Sequence, residues 1–305
     1  MNLLPILLVA SCLAADPTFE VRKSHIRALF EHADYPTALQ EARALNRQWP
    51  DDIETYQILA ATHLELGNYQ DADETLQWML DLRIGKADLN GYWLLARFRE
   101  VTGDAEGAIE AMNAAFARLQ NGEKGDRSRM LTYLAHLHIL AGKLTLAGKI
   151  LKECDSTNAE TMFVRSQLLL AQSKTAEAIM LLRQLAEKQD HPRYLYALGQ
   201  ATGATTDYAA FERAARRVSE LPDHTNRELA HYLAGSGGRP AEALEIARHE
   251  ASKRRDVFTL AALSGALAAN GHPEEARKIM KEVLAVGTQD PAILAQATHL
   301  GLQPE

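Results

Sequence analysis

Cysteine is nearly absent: only Cys12 and Cys154 occur in 305 residues. A disulfide framework is thereby excluded as the source of stability. Ten prolines and eighteen glycines are few for this length, and most fall at predicted helix junctions. No run shows the apolar–polar alternation of a half-buried strand, and no low-complexity linker divides the chain. Basic residues do not prevail: 33 Lys and Arg against 40 Asp and Glu leave a formal charge of −7. That balance suits solubility and argues against nucleic acid as a main partner. Long apolar runs are missing too. The apolar stretch 1–15 is too short to cross a bilayer, which takes about 20 such residues.

Apolar residues make up 47% of the chain, much of it Ala and Leu, as expected of a helical protein. The clearest unit is 53–86. Tyr56, Leu59, Ala60, Leu64 and Leu66 keep one side apolar at helical spacing. Asp51 and Asp52 stand where they cap that helix and complement its dipole. Gly67-Asn68 breaks it, and Ala72, Leu76, Met79 and Leu80 form the next stripe. Small residues at Ala60 and Ala72 let the two helices approach closely. One such hairpin cannot bury its own faces, so the pattern must repeat.

It does, with unit starts near 19, 53, 89, 128, 159, 192, 224 and 257, a spacing that scatters around about 34 residues. The predicted turns are Ala33-Asp34-Tyr35, Gly67-Asn68-Tyr69, Gly103-Asp104-Ala105, Gly142-Lys143-Leu144, Ser173-Lys174-Thr175, Thr206-Asp207-Tyr208, Gly238-Arg239-Pro240 and Gly271-His272-Pro273. Ala38, Ala72, Ala108, Ala147, Ala178, Ala210, Ala243 and Ala276 follow them. The polar loop Asn121–Asp126 is an insertion. Pro291 starts a last helix to about Leu300 that covers the open end of the array, as such arrays require.

Tyr56, Leu59, Ala60, Gly67-Asn68-Tyr69, Ala72 and Leu76 together resemble the tetratricopeptide repeat. The resemblance implies an all-α, right-handed superhelical solenoid of about eight hairpins over 19–290, with 291–305 as cap and tail. It also implies that the first helix of each unit lines a concave face that binds extended peptides or a partner's helix. Carried onto this sequence, the face holds Lys23, Arg27, Trp93, Arg97, His136, Phe163, Gln167, Tyr196 and Tyr232. Such a mixture of aromatic and forked polar groups resembles binding hot spots, although aromatics at helical spacing also fill cores. The Lys/Asn pattern of a two-carboxylate clamp is absent: Lys23 is followed by Arg27, and Gln57 by Ala61.

Residues 1–15 resemble a secretory signal. Val9-Ala10-Ser11-Cys12 resembles a lipobox, with Cys12 as the lipidated residue. The expectation is an exported, periplasmic or envelope-attached protein that meets a membrane only through a lipid anchor or an assembly partner. The alternative is a hydrophobic helix docked on the first unit of a cytoplasmic protein.

Chemistry-bearing motifs are scarce. Ser236 lies among glycines, but Ala234 stands where a nucleophile elbow needs Gly. His136 and His138 point to different helix faces and cannot share a metal. Paired carboxylates such as Asp104/Glu106 and Glu274-Glu275 fall at helix starts. His191 and His249-Glu250 read as solvated junction residues, and Cys154 as a buried thiol on a second helix beside Ile150 and Leu151. No cofactor or metal is implied. The expected function is a non-catalytic protein- or peptide-binding scaffold of an envelope assembly. The alternatives are a substrate-recognition or accessory subunit of an enzyme, or a glycan-binding array.

Overall fold

The computed structural model describes residues 17–81, 88–120, 126–221 and 224–303. Residues 1–15, read from sequence as resembling an export signal, with Cys12, and most of the polar insertion therefore lie outside the described residues. Within them every regular element is a helix. Eight hairpins follow one another: α1 (Pro17–Glu31) with α2 (Tyr35–Gln48), α3 (Ile53–Glu65) with α4 (Tyr69–Asp81), α5 (Leu89–Val101) with α6 (Ala105–Gln120), α7 (Arg127–Leu140) with α8 (Leu144–Leu151), α9 (Ala159–Ala171) with α10 (Thr175–Lys188), α11 (Pro192–Thr202) with α12 (Thr205–Val218), α13 (Arg227–Ala234) with α14 (Pro240–Lys253), and α15 (Val257–Ala269) with α16 (Pro273–Leu284). A single helix, α17 (Pro291–His299), ends the array as expected.

The hairpins are cut by local chemistry. Each turn holds one residue in the left-handed region: Ala33, Gly67, Gly103, Gly142, Ser173, Gly203, Gly238 and Gly271. Most inner helices start on a side-chain acceptor that satisfies an otherwise orphaned backbone N–H. Asp52 takes the Thr55 amide at 2.8 Å, Asp88 the Gly91 amide at 2.8 Å and Asp126 the Arg129 amide at 3.0 Å. Each such cap contributes about 1 kcal/mol. The alanine after the turn is fully buried at Ala38, Ala72, Ala108, Ala147, Ala178, Ala243 and Ala276. A methyl there lets the paired helices close on each other, and a larger side chain would overpack the contact.

The sixth unit departs from the predicted register. Its turn is Gly203-Ala204, with Gly203 at φ +66, not Thr206-Asp207-Tyr208. Ala210 is accordingly not the buried alanine; Tyr208 stands at that position. The partner helix makes room, because a Cβ on Gly199 would come 2.8 Å from the Tyr208 ring. A large residue facing a glycine replaces the usual pair of small ones. The fourth unit also differs. Its second helix stops at Leu151, so Cys154 lies in the turn beyond it, still buried, donating its thiol to the Ile150 carbonyl at 3.5 Å.

Apolar clusters join consecutive units: Leu45 and Leu59, Met112 and Leu137, Leu151 and Leu168, Leu185 and Tyr194. One cluster breaks the rule. Val257, Leu260, Met280, Val283 and Ile293, from the eighth unit and the cap, also receive Tyr69 and Val101 from the second and third units. The right-handed superhelix has come round far enough for its second turn to touch its first.

This seam is built from turns, inter-unit loops and the helix ends beside them. The Arg255 amide donates to the Glu65 carbonyl at 2.9 Å. The Val257 amide donates to the Tyr69 hydroxyl at 2.9 Å. Arg254 reaches Glu65 at 3.6 Å and lies over the Tyr35 ring at 5.3 Å. Burial and the nearby Glu65 carboxylate push the Tyr35 phenol up to about 12. Backbone meets backbone at two turns. A Cβ on Gly67 would lie 2.3 Å from the Arg255 carbonyl oxygen, and one on Gly103 would lie 2.1 Å from that of Gly287. The turn glycines Gly142 and Gly271, with nothing within 4 Å, show what the same turn looks like away from the seam.

Candidate partner-binding interior

The first helix of each hairpin faces inward, and the seam joins the two ends of the inner wall, with Gly103 from one edge and Thr288 and Gln289 from the other bordering one of its spaces. A large space, about 680 Å³, is lined by α9, α11, α13, α15 and α17. Phe163, Tyr196 and Phe258 supply rings; Gln167, Gln200 and Gln296 supply amides; Arg193, Arg227, Glu228 and Asp290 supply charge. A second space of about 250 Å³ shares Arg193, Phe258 and Asp290 and reaches Glu100 and His136. A third, about 290 Å³, lies between α1, α3 and α5.

Electrostatically this wall is largely self-satisfied. Arg193 is 3.0 Å from Glu160 and covers the Phe163 ring at 4.3 Å. Arg227 is 3.0 Å from Asp256 and lies over Phe258 at 5.5 Å. Burial opposes the charge on Arg227, but Asp256 and Glu228 outweigh it and raise its pKa. His231, among Glu228, Arg227 and Asp290, is held below its ordinary value by burial.

Glu100, His136 and Gln167 pin three inner helices together. His136 Nε2 is 3.1 Å from Glu100, and its Nδ1 is 3.3 Å from the Gln167 oxygen. Tyr133 donates to the other Glu100 oxygen at 2.5 Å. Burial alone would raise Glu100, but the His136 hydrogen bond and charge bring it below the usual carboxylate range. Both imidazole nitrogens are thus occupied, so His136 is not poised as a base toward a nucleophile. Among the described residues no group of three His, Cys, Asp or Glu is placed to hold a metal ion. Nor is any helix there long and apolar enough to cross a membrane.

The nine residues assigned to the groove from sequence do not form one ladder. Phe163, Gln167 and Tyr196 line the large space. Arg27 and Trp93 line the third space, between α1, α3 and α5, with Trp93 stacked on Tyr133 at 4.8 Å. His136 borders the space between them. Arg97 points to the seam, 3.7 Å from Glu65. Two residues are spent inside the fold. Lys23 is 5% exposed, with Glu54 at 2.9 Å, Glu20 at 3.2 Å and Asp52 at 3.6 Å. Burial opposes its charge, yet these carboxylates raise its pKa. Tyr232 stacks on Tyr208 at 5.1 Å and meets Phe211 edge-on, filling a core that the enlarged Tyr208 position opens.

Sequence reasoning missed Arg193, Arg227, Phe258 and Asp290, which sit at or just inside the starts of inner helices. It also misplaced Glu250. That side chain is 2% exposed, not solvated, and takes the Asn226 amide at 2.9 Å. The neighbouring His249 is exposed, as expected.

The architecture defines an α-solenoid of stacked helical hairpins. More particularly, the left-handed turn, the buried alanine after it and the inward first helix give it the fold of the tetratricopeptide-repeat proteins. No protein-family model matches the chain, and no curated protein does. Solved structures do resemble it. Human IFIT1, solved as a dimer with PPP-AAAA, has a TM-score of 0.53 at 13% identity, over 88% of this chain and 72% of that one. A tetratricopeptide repeat protein from Parabacteroides merdae gives 0.48 at 13%, over 94% and 100%. The C-terminal part of a TPR repeat-containing protein from Cytophaga hutchinsonii gives 0.45 at 14%, over 90% and 98%.

Proposed function

We propose that the protein is a non-catalytic scaffold that holds an extended segment of a partner protein against its inner wall. One observation carries the reading: five inner helices converge on one space where rings alternate with Gln167, Gln200 and Gln296. A primary amide has two donor hydrogens and an acceptor oxygen, so Gln296, which donates to the Ala261 carbonyl at 2.8 Å, and Gln167, whose oxygen faces His136 at 3.3 Å, each keep hydrogen-bonding capacity for a peptide bond. Rings beside it bury side chains. A nucleic-acid ligand fits less well, because Arg193 and Arg227 are already held by Glu160 and Asp256 and the chain is acidic overall. A photo-crosslinking residue at Gln200 of the full chain tests this in cells. One contiguous segment of one protein should be captured, and Tyr196→Ala should abolish the capture. Capture of RNA, or of unrelated sequences unaffected by Tyr196→Ala, would refute it.

The setting we propose is a bacterial envelope assembly such as secretion, pilus or polysaccharide export. It rests on the signal-like residues 1–15 and Cys12. Sequencing the mature N-terminus tests it, and an intact Met1 would end it.

A further inference from the structure

The seam that borders the interior is incompletely satisfied at its centre. Arg254 and Glu250 are 4% and 2% exposed, and Asn226 is 6% exposed. Within the protein, Nε and Nη2 of Arg254, Oε2 of Glu250 and Oδ1 of Asn226 have no hydrogen-bond partner. Arg254 Nε stops 3.9 Å from Glu250 and Nη1 stops 3.6 Å from Glu65, beyond hydrogen-bond reach. Buried charges that are paired but not fully hydrogen-bonded recover little of their desolvation cost. Of the three, Arg254 touches the opposite edge, at Glu65 and Tyr35, and parting the seam would give its unbonded nitrogens access to water.

Holding it shut are the Glu65 and Tyr69 contacts and the apolar burial of Tyr69 and Val101. The unbonded nitrogens of Arg254 oppose those contacts and weaken closure without abolishing it. The parts that separate are turns, inter-unit loops and the helix ends beside them, so opening breaks no helix.

We infer that this seam is a gate: its two edges part to admit a partner's segment to the inner wall and then close behind it. The inference rests on the reading of that wall as the binding face, but its test needs no partner. In full-length protein carrying Cys12→Ser and Cys154→Ala, Gln200→Cys places one thiol on the wall of the large space. Its rates of reaction with iodoacetamide and with a maleimide on a polyethylene glycol chain are compared. In the parent the bulky reagent should lag the small one. Gly67→Ala drives a methyl into the Arg255 carbonyl and should raise the bulky-to-small ratio about tenfold, the factor that corresponds to 1.4 kcal/mol.

Gly142→Ala carries the same backbone strain with nothing opposite it and should leave the ratio unchanged. Tyr69→Phe, which leaves the second unit's packing in place, should fall between and decides the matter if Gly67→Ala does not fold. Equal rates for both reagents in the parent would overturn the gate, as would a rise in Gly142→Ala matching that in Gly67→Ala. Neither result touches the crosslinking test of the binding face.

Discussion

The second and fourth units carry the same turn and use it differently. Gly67 and Gly142 are both left-handed, at φ 70 and 71, and both are followed by a fully buried alanine. Each is preceded, one helical turn earlier, by a buried histidine: His63 and His138. At Gly142 the absent side chain matters only to backbone conformation. At Gly67 it also lets another stretch of backbone pass within contact distance. The repeat therefore sets the turn, while the superhelix gives it a second task only where one coil meets the next. A residue kept for local geometry in one unit is a tertiary contact in another.

Substitutions at matched positions can break that comparison. The largest effect is expected at Glu65, whose carboxylate faces both Arg97 and Arg254. Glu65→Ala removes a partner of a buried guanidinium and should cost about 3 kcal/mol. The matched residue in the fourth unit, Leu140, is 39% exposed, and Leu140→Ala should stay within about 0.5 kcal/mol. Urea unfolding followed by circular dichroism measures both, and equal losses would dissolve the distinction.

Next in size is the glycine pair. Gly142→Ala should cost about 1 kcal/mol for left-handed strain, and Gly67→Ala about 2 kcal/mol more for the clash. Tyr69→Phe deletes one acceptor and should cost about 1 kcal/mol, with accelerated exchange of the Val257 amide. The shallowest effect should be shared by both units. Burial holds His63 and His138 below the ordinary imidazole value, so the unfolded chain binds protons that the folded chain refuses. Their contribution is whole above about pH 6.5 and drains away as pH falls through the lowered folded values. A pH series of unfolding midpoints should fall in acid, and His63→Leu and His138→Leu should each flatten it. A slope removed by His63→Leu alone would tie it to the seam and not to the repeat.

Local features were legible in the sequence because they depend on near neighbours. Apolar spacing and turn residues placed the inner-helix starts at 53, 89, 159, 192 and 257, where the helices begin. The sixth turn was misread because Tyr208 occupies the alanine position, and Gly199, which compensates, lies on the other helix. The interior was legible only in part. Counting along first helices found Phe163, Gln167 and Tyr196, but it gave no means to see that Lys23 is sealed by Glu20, Asp52 and Glu54. The seam left no periodic trace. It joins Tyr69 to Val257, 188 residues apart, through the pitch of the whole superhelix, and pitch sums small rotations that no single repeat encodes.

Native-state hydrogen exchange at the Arg255 and Val257 amides tests closure most directly, because both donate across the seam. Closure predicts that both are protected in the parent and in Gly142→Ala and exposed in Gly67→Ala. Exchange in the parent at the rate of an open surface loop would contradict it.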